Sequence, residues 1–89
     1  MNYSLEITSS CLAEIKKVCK KNKKLEIILK KKMKQILDNP EHYKPLKYNL
    51  FGERRVHIMK SFVLKFEIKE NKVIFLSFTH HDNAYSFIL

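Results

Sequence analysis

The chain has 89 residues, 45% hydrophobic and 11% aromatic, with a single glycine and two prolines. That is one domain's worth of ordered chain, and it excludes a disordered tail or a low-complexity array. No apolar run approaches the roughly 20 residues that cross a bilayer, and the opening MNYSLEITSS lacks a basic stretch followed by an apolar one, so a cytoplasmic protein without a secretory signal or membrane contact is expected.

In chain order, Tyr3, Leu5 and Ile7 alternate with Ser4 and Glu6, the period of a strand. Thr8, Ser9 and Ser10 offer hydroxyls to cap a helix. Leu12, Ile15 and Cys19, with Cys11 and Val18 beside them, make an apolar stripe at helical spacing. Asn22 interrupts, so the first helix is expected to end around Lys21 to Lys24. A second stripe follows at Leu25, Ile28, Leu29, Met33, Ile36 and Leu37, and Asp38-Asn39-Pro40 stops it. Residues 39–52 hold both prolines and the glycine and read as an irregular connection. Three strands follow: Arg55 to Met59, Phe62 to Ile68, and Val73 to Thr79 after the turn signal Glu70-Asn71-Lys72. The pattern is β-α-α-β-β-β. It predicts an α+β fold over residues 1–89, with an N-terminal strand, an α-helical hairpin and a three-stranded antiparallel meander, the helices packed on one face of the sheet.

The net charge is +9, and it is concentrated. Residues 16–34 carry ten lysines (Lys16, Lys17, Lys20, Lys21, Lys23, Lys24, Lys30, Lys31, Lys32 and Lys34) against one acid, Glu26, while the rest of the chain is balanced. Lysine-rich faces often serve only solubility. The lack of balancing acids, with further basic residues at Lys44, Lys47, Arg54 and Arg55, points instead to a polyanionic partner such as nucleic acid. Cys11 and Cys19 have no metal-ligand spacing around them and read as reduced, buried thiols; a disulfide is the weaker alternative, since eight residues apart on one helix they stand about 12 Å from each other.

With Val56 and Ile58 facing the helices, Arg55 and His57 face the other way; with Phe62, Leu64 and Phe66 in the core, so does Lys65. His81 and Tyr85, just past the last strand, would complete a basic patch of Arg55, His57, Lys65, His81 and Tyr85. Each has a plainer reading as a solvated or anchoring side chain. Together they offer cations for a phosphate, an imidazole of the kind that titrates near neutrality, and an aromatic ring on which a base can stack. Adjacent histidines on a strand point to opposite faces, so His80-His81-Asp82 is not expected to bind a metal, and no cofactor is implied.

The order of these pieces resembles the RelE/ParE superfamily of toxins, and within it the RelE-like ribonuclease branch, over nearly the whole chain. Asn39-Pro40-Glu41-His42-Tyr43-Lys44-Pro45-Leu46-Lys47 is similar to the family's NPxxxKPLK connection. Arg54-Arg55-Val56-His57-Ile58 is similar to its YRIRV strand, Phe62 to Ile68 to its YRLIYEI strand, and His80 to Tyr85 to its HRxxVY ending. The resemblance implies a toxin of a type II toxin–antitoxin pair. Such a toxin inhibits translation as an mRNA interferase, an endoribonuclease acting at the ribosome by 2′-OH attack without a metal. A RelB-like antitoxin would neutralise it in a hetero-oligomer by wrapping it with a helix and a strand. Arg55 and His57 fall where members hold the scissile phosphate, His81 at the terminal Arg, Tyr85 at the terminal Tyr, and Lys44 and Lys47 in the basic connection. One position departs: many members have Arg where this chain has Val63. On this reading the helical lysines (Lys16, Lys17, Lys20, Lys21, Lys23, Lys24, Lys30, Lys31 and Lys34), with Lys44, Lys47 and Arg54, bind ribosomal RNA. Two other readings share the fold: a ParE-like toxin acting on DNA gyrase, and a non-catalytic nucleic-acid-binding module.

Overall fold

Thr8 is the hinge between the first strand and everything after it. A computed structural model describes residues 3–45 and 52–80. The elements are β1 (Ser4–Ile7), α1 (Ser9–Cys19), α2 (Lys23–Asp38), a 3-10 turn (Pro40–His42), β2 (Arg54–Ile58), β3 (Phe62–Lys69) and β4 (Lys72–His80). The Thr8 hydroxyl accepts from the Cys11 amide at 3.1 Å, capping α1, and donates to the Leu76 carbonyl at 3.1 Å. Its own amide donates to the Phe75 carbonyl at 3.1 Å. One residue thus ends β1, starts α1 and fastens both to β4. Asn22 is likewise a cap: its side-chain oxygen accepts from the Leu25 amide at 3.0 Å. That is why α1 stops at Cys19, before the lysine run, and α2 restarts at Lys23.

The sheet runs β1-β4-β3-β2. β2, β3 and β4 form the expected antiparallel meander, and β1 pairs parallel to β4, with Leu5 opposite Val73 and Ile7 opposite Phe75. Lys69 and Lys72 pair across the second hairpin, and the left-handed backbone there falls on Glu70 (φ 59°). Within the stretch expected to be irregular, Pro40 opens a 3-10 turn, the fixed φ of proline suiting a first helical position; residues 46–51 lie outside the described ones.

One face of the sheet carries Val56, Ile58, Leu64, Phe66, Val73, Phe75 and Phe78, and it buries Cys11, Cys19, Leu25, Leu29 and Ile36 of the helices. The spacing from Phe75 to Phe78 breaks the period of two because β4 has a bulge. Phe66 pairs with Phe75 and Lys65 with Ser77, leaving Leu76 without a partner residue on β3. Beyond the bulge β4 has outrun β1, and its outer edge is met by α1 instead: the Phe78 amide donates to Glu14 Oε1 at 3.0 Å. A carboxylate accepting a half-buried amide is among the stronger hydrogen bonds. Among the described residues no helix is long and apolar enough to cross a membrane.

Glu14→Ala is expected to cost about 1–3 kcal/mol in urea or guanidinium unfolding, since it leaves the Phe78 amide half-buried and unpaired. An unfolding midpoint unchanged from wild type would show that water replaces the carboxylate without loss.

Candidate active face

Strand alternation decides which side chains reach the side of the sheet that the helices do not cover. Arg55 pairs with Lys65, which pairs in turn with Ser77; His57 pairs with Val63, which pairs with Thr79. Directly paired residues share a face with Cβ atoms about 5 Å apart, and residues two apart on a strand stand about 7 Å apart on the same face. Arg55, His57 and Lys65 therefore meet on the helix-free face. His57 is exposed and the other two are half-buried, with Arg55 Nε sunk into the face. A guanidinium and an ammonium at this separation suit the two non-bridging oxygens of a phosphodiester. Glu67, two residues beyond Lys65 on β3, puts one carboxylate on the same face, opposite Ile74 of β4 and past the end of the pairing with β2.

The remaining sequence candidates divide. Arg54 points to the helix side. Its Nε donates to the Tyr43 carbonyl and its Nη2 lies 3.4 Å from Glu41, and its side chain is only 12% exposed. With the Tyr43 ring edge-on to Phe66 at 5.9 Å, Arg54 pins the 3-10 turn to the core and is not presented to RNA. Lys16, Lys17, Lys20, Lys21, Lys23, Lys24, Lys30, Lys31 and Lys34 are exposed on the helical layer, across the sheet from Arg55, His57 and Lys65, and Lys44 is exposed beside the 3-10 turn. Lys47, His81 and Tyr85 lie outside the described residues. Val63, at the family's arginine position, is fully buried (0% exposed) on the helix-free face, between His57 and Thr79. Sequence reasoning missed Ser77 and Thr79 as members of this face, because the Leu76 bulge reverses the alternation of β4 and no residue type announces it. Thr79 Oγ1 is buried and finds no hydrogen-bond partner among the described residues.

A family model described as "ParE toxin of type II toxin-antitoxin system, parDE" matches residues 5–85. This chain belongs to that family of toxins. A protein of Methanocaldococcus jannaschii named "Putative toxin RelE4" is 47% identical over 85 residues, covering 93% of this chain and 90% of the relative. Among solved structures, the toxin of the Escherichia coli DinJ-YafQ toxin–antitoxin complex superposes with a TM-score of 0.76 at 18% identity, covering 96% and 99% of the two chains. An E. coli RelE double mutant, solved with an antitoxin RelBc peptide, superposes at 0.71 with 21% identity, covering 100% and 96%. At such identities the likeness is one of fold.

In this family member the two cysteines take no part in the face. Both are free and buried in the core. Burial, with a smaller push from Glu14, raises the Cys11 thiol from 9.0 to about 11; burial and then Glu26 raise Cys19. Neither is a nucleophile at neutral pH.

A thiol whose pKa is higher folded than unfolded favours the folded state below the unfolded value of 9.0, and that advantage fades as pH rises to about 11. Stability is therefore expected to fall between pH 9 and 11, and to fall less in Cys11→Ala, by denaturant titration across that range. A variant with the same alkaline slope as wild type would place the titration elsewhere.

Proposed function

We propose that this chain is the toxin of a type II toxin–antitoxin pair and that it arrests translation by cutting mRNA at the ribosome. The observation that carries this reading is the meeting of Arg55, His57 and Lys65 on a sheet face left open by the helices. RNA brings its own nucleophile. The 2′ oxygen attacks the adjacent phosphorus as its proton passes to a base, the bond to the 5′ oxygen breaks, and that oxygen takes up a proton. The route needs neither a metal nor a covalent intermediate with the protein. Arg55 and Lys65 bear the charge that develops on the phosphorane oxygens, with His57 beside them. His81, which follows β4 in the sequence, serves as general base or acid, and Tyr85 as its partner or as a stacking platform. These last two roles rest on the family resemblance.

The helical lysines hold ribosomal RNA and leave the opposite face for the message. DinJ-YafQ and the RelE–RelBc pair are complexes of a toxin with its antitoxin; by the same relation the partner here is an antitoxin of RelB type, in a hetero-oligomer. A second reading, inhibition of DNA gyrase, is favoured by one observation, the ParE description of the matching family model.

The deciding experiment mixes the purified chain with programmed ribosomes and, separately, with gyrase and relaxed plasmid. Cleaved message with unhindered supercoiling supports the nuclease. Intact message with blocked supercoiling supports the gyrase reading and overturns the first. Arg55→Ala is expected to lower the cleavage rate about 100-fold or more, the usual loss for one charge-stabilising donor, with Arg55→Lys recovering part of it. His81→Gln should remove growth arrest while leaving the unfolding midpoint in place; undiminished arrest would take His81 out of the mechanism.

For the helical face, replacing Lys20, Lys23 and Lys24 with Gln should weaken ribosome binding. It should also flatten the dependence of log K on log salt by about 2–3, read by sedimentation at several salt concentrations. An unchanged slope would mean these lysines face only solvent.

A further inference from the structure

The connection between β2 and β3 is held in a backbone that its side chains disfavour. Ile58 pairs with Phe62, so three residues, Met59, Lys60 and Ser61, reverse the chain. Met59 (φ 54°) and Lys60 (φ 67°) are both left-handed. In that region Cβ crowds the following carbonyl oxygen, and glycine, with asparagine and aspartate some way behind, adopts it most readily. The Ser61 amide donates to the Met59 carbonyl at 2.7 Å. A bond that spans a single central residue of positive φ is the rare, strained form of the γ-turn. The chain's one glycine stands elsewhere, at Gly52. Strain of this kind persists only where the surroundings hold it, and it gathers at functional sites.

The turn stands at one end of the active face. From Arg55 and Lys65 the strands run past His57 and Val63 and close in the turn, two rows or about 14 Å along the sheet. Phe62 pairs in turn with His80, so the end of β4, where His81 follows, lies at the same end. All three turn residues are exposed, and among the described residues Lys60 makes no ion pair. An extended RNA strand laid along β2 and β3, with one phosphate between Arg55 and Lys65, carries a further phosphate to the turn. We propose that Lys60 grips that neighbouring phosphate of single-stranded RNA, and that the strained turn holds Lys60 in place for the contact. This deepens the nuclease reading above and rests on it. A longer, relaxed loop would let the lysine wander; three residues with an internal hydrogen bond tie its backbone to two rigid strands, so less freedom is lost on binding.

The test compares Lys60→Gly, Lys60→Arg and Glu70→Gly with the wild-type chain. Glu70 (φ 59°) is left-handed too, but it sits in the β3–β4 turn at the opposite end of the sheet, so it reports relief of strain away from the face. The ligand is a 2′-O-methyl RNA of about four nucleotides, which lacks the attacking hydroxyl and stays whole. Its binding is read from the amide shifts of Ser61 and Lys65 in two-dimensional NMR at several salt concentrations, and cleavage is read on programmed ribosomes. Both glycine variants should raise the urea midpoint, since glycine adopts positive φ freely. Lys60→Gly should weaken RNA binding about tenfold and raise KM for the message by a similar factor, with kcat within threefold of wild type. It should flatten the slope of log K against log salt by about 0.7, the share of one phosphate on a single strand. Lys60→Arg should bind within threefold of wild type, and Glu70→Gly should match it in everything but stability.

Binding and salt slope unmoved in Lys60→Gly overturn the proposal. So does an equal loss of binding in Glu70→Gly, which traces the effect to the fold at large. A urea midpoint that does not rise in Lys60→Gly overturns the part given to strain. The binding readout does not depend on cleavage: a Lys60-dependent grip on the uncut RNA, in a chain that spares message on the ribosome, removes the nuclease and keeps the contact. Cleavage with the wild-type KM in Lys60→Gly removes the contact and keeps the nuclease.

Discussion

A single extra residue in β4 decides what each face of the sheet carries. With Phe66 opposite Phe75 and Lys65 opposite Ser77, Leu76 has no counterpart on β3. Before it, odd-numbered residues of β4 face the helices; after it, even-numbered ones do. Phe78 is thereby drawn into the core, and Ser77 and Thr79 are turned to the side of Arg55 and Lys65. The same irregularity is where Thr8 fastens, through the carbonyls of Phe75 and Leu76, so the start of α1 and the phase of β4 are set together. A bulge costs some ladder hydrogen bonding. Here the costs are offset by contacts from outside the sheet, the Thr8 hydroxyl on one residue and the Glu14 carboxylate two residues later.

Much of this architecture is legible in the residue pattern, and the reasons are local. The cap at Thr8, the stop at Asn39-Pro40 and the alternation of β2 and β3 all arise from side chains acting on their own neighbourhood, and the sequence shows them; Asn22 shows there only as an interruption, and its capping of α2 ends α1 at Cys19, short of the expected Lys21 to Lys24. β4 is different. Val73 to Thr79 is a nearly continuous apolar run, which by itself does not say which side chains face which way, and the bulge that resolves it lies where Thr8 and Glu14, far away in sequence, bond to the strand. The place of β1, parallel to β4 at the edge, is likewise a matter of long-range pairing that no short window contains.

The candidate site was legible to the same extent. Period two along β2 and β3 sets Arg55, His57 and Lys65 on one face, and the register brings them side by side. Arg54 shows the limit of that reasoning. It belongs to the same basic pair as Arg55, and alternation alone sends it to the helix side, but its partners, Tyr43 and Glu41, lie eleven and thirteen residues upstream in a turn that the sequence shows only as a proline. Val63 marks a different kind of difference. It occupies the helix-free face with an apolar side chain, so the cationic character of that face comes from Arg55 on β2, with His57 two residues along, and from Lys65 on β3 itself.

The uneven placement of charge has a bearing on how the molecule moves before it touches anything. Almost the whole positive excess sits on one side, so the protein is a strong electric dipole, and the field of a large polyanion exerts a torque on it at distances of the order of the ~8 Å screening length at physiological salt. It arrives lysines first, already turned. The lysine layer and the face of Arg55, His57 and Lys65 lie on opposite sides of the sheet, so a molecule turned in this way presents the second face outward, like a hand laid palm up on a table.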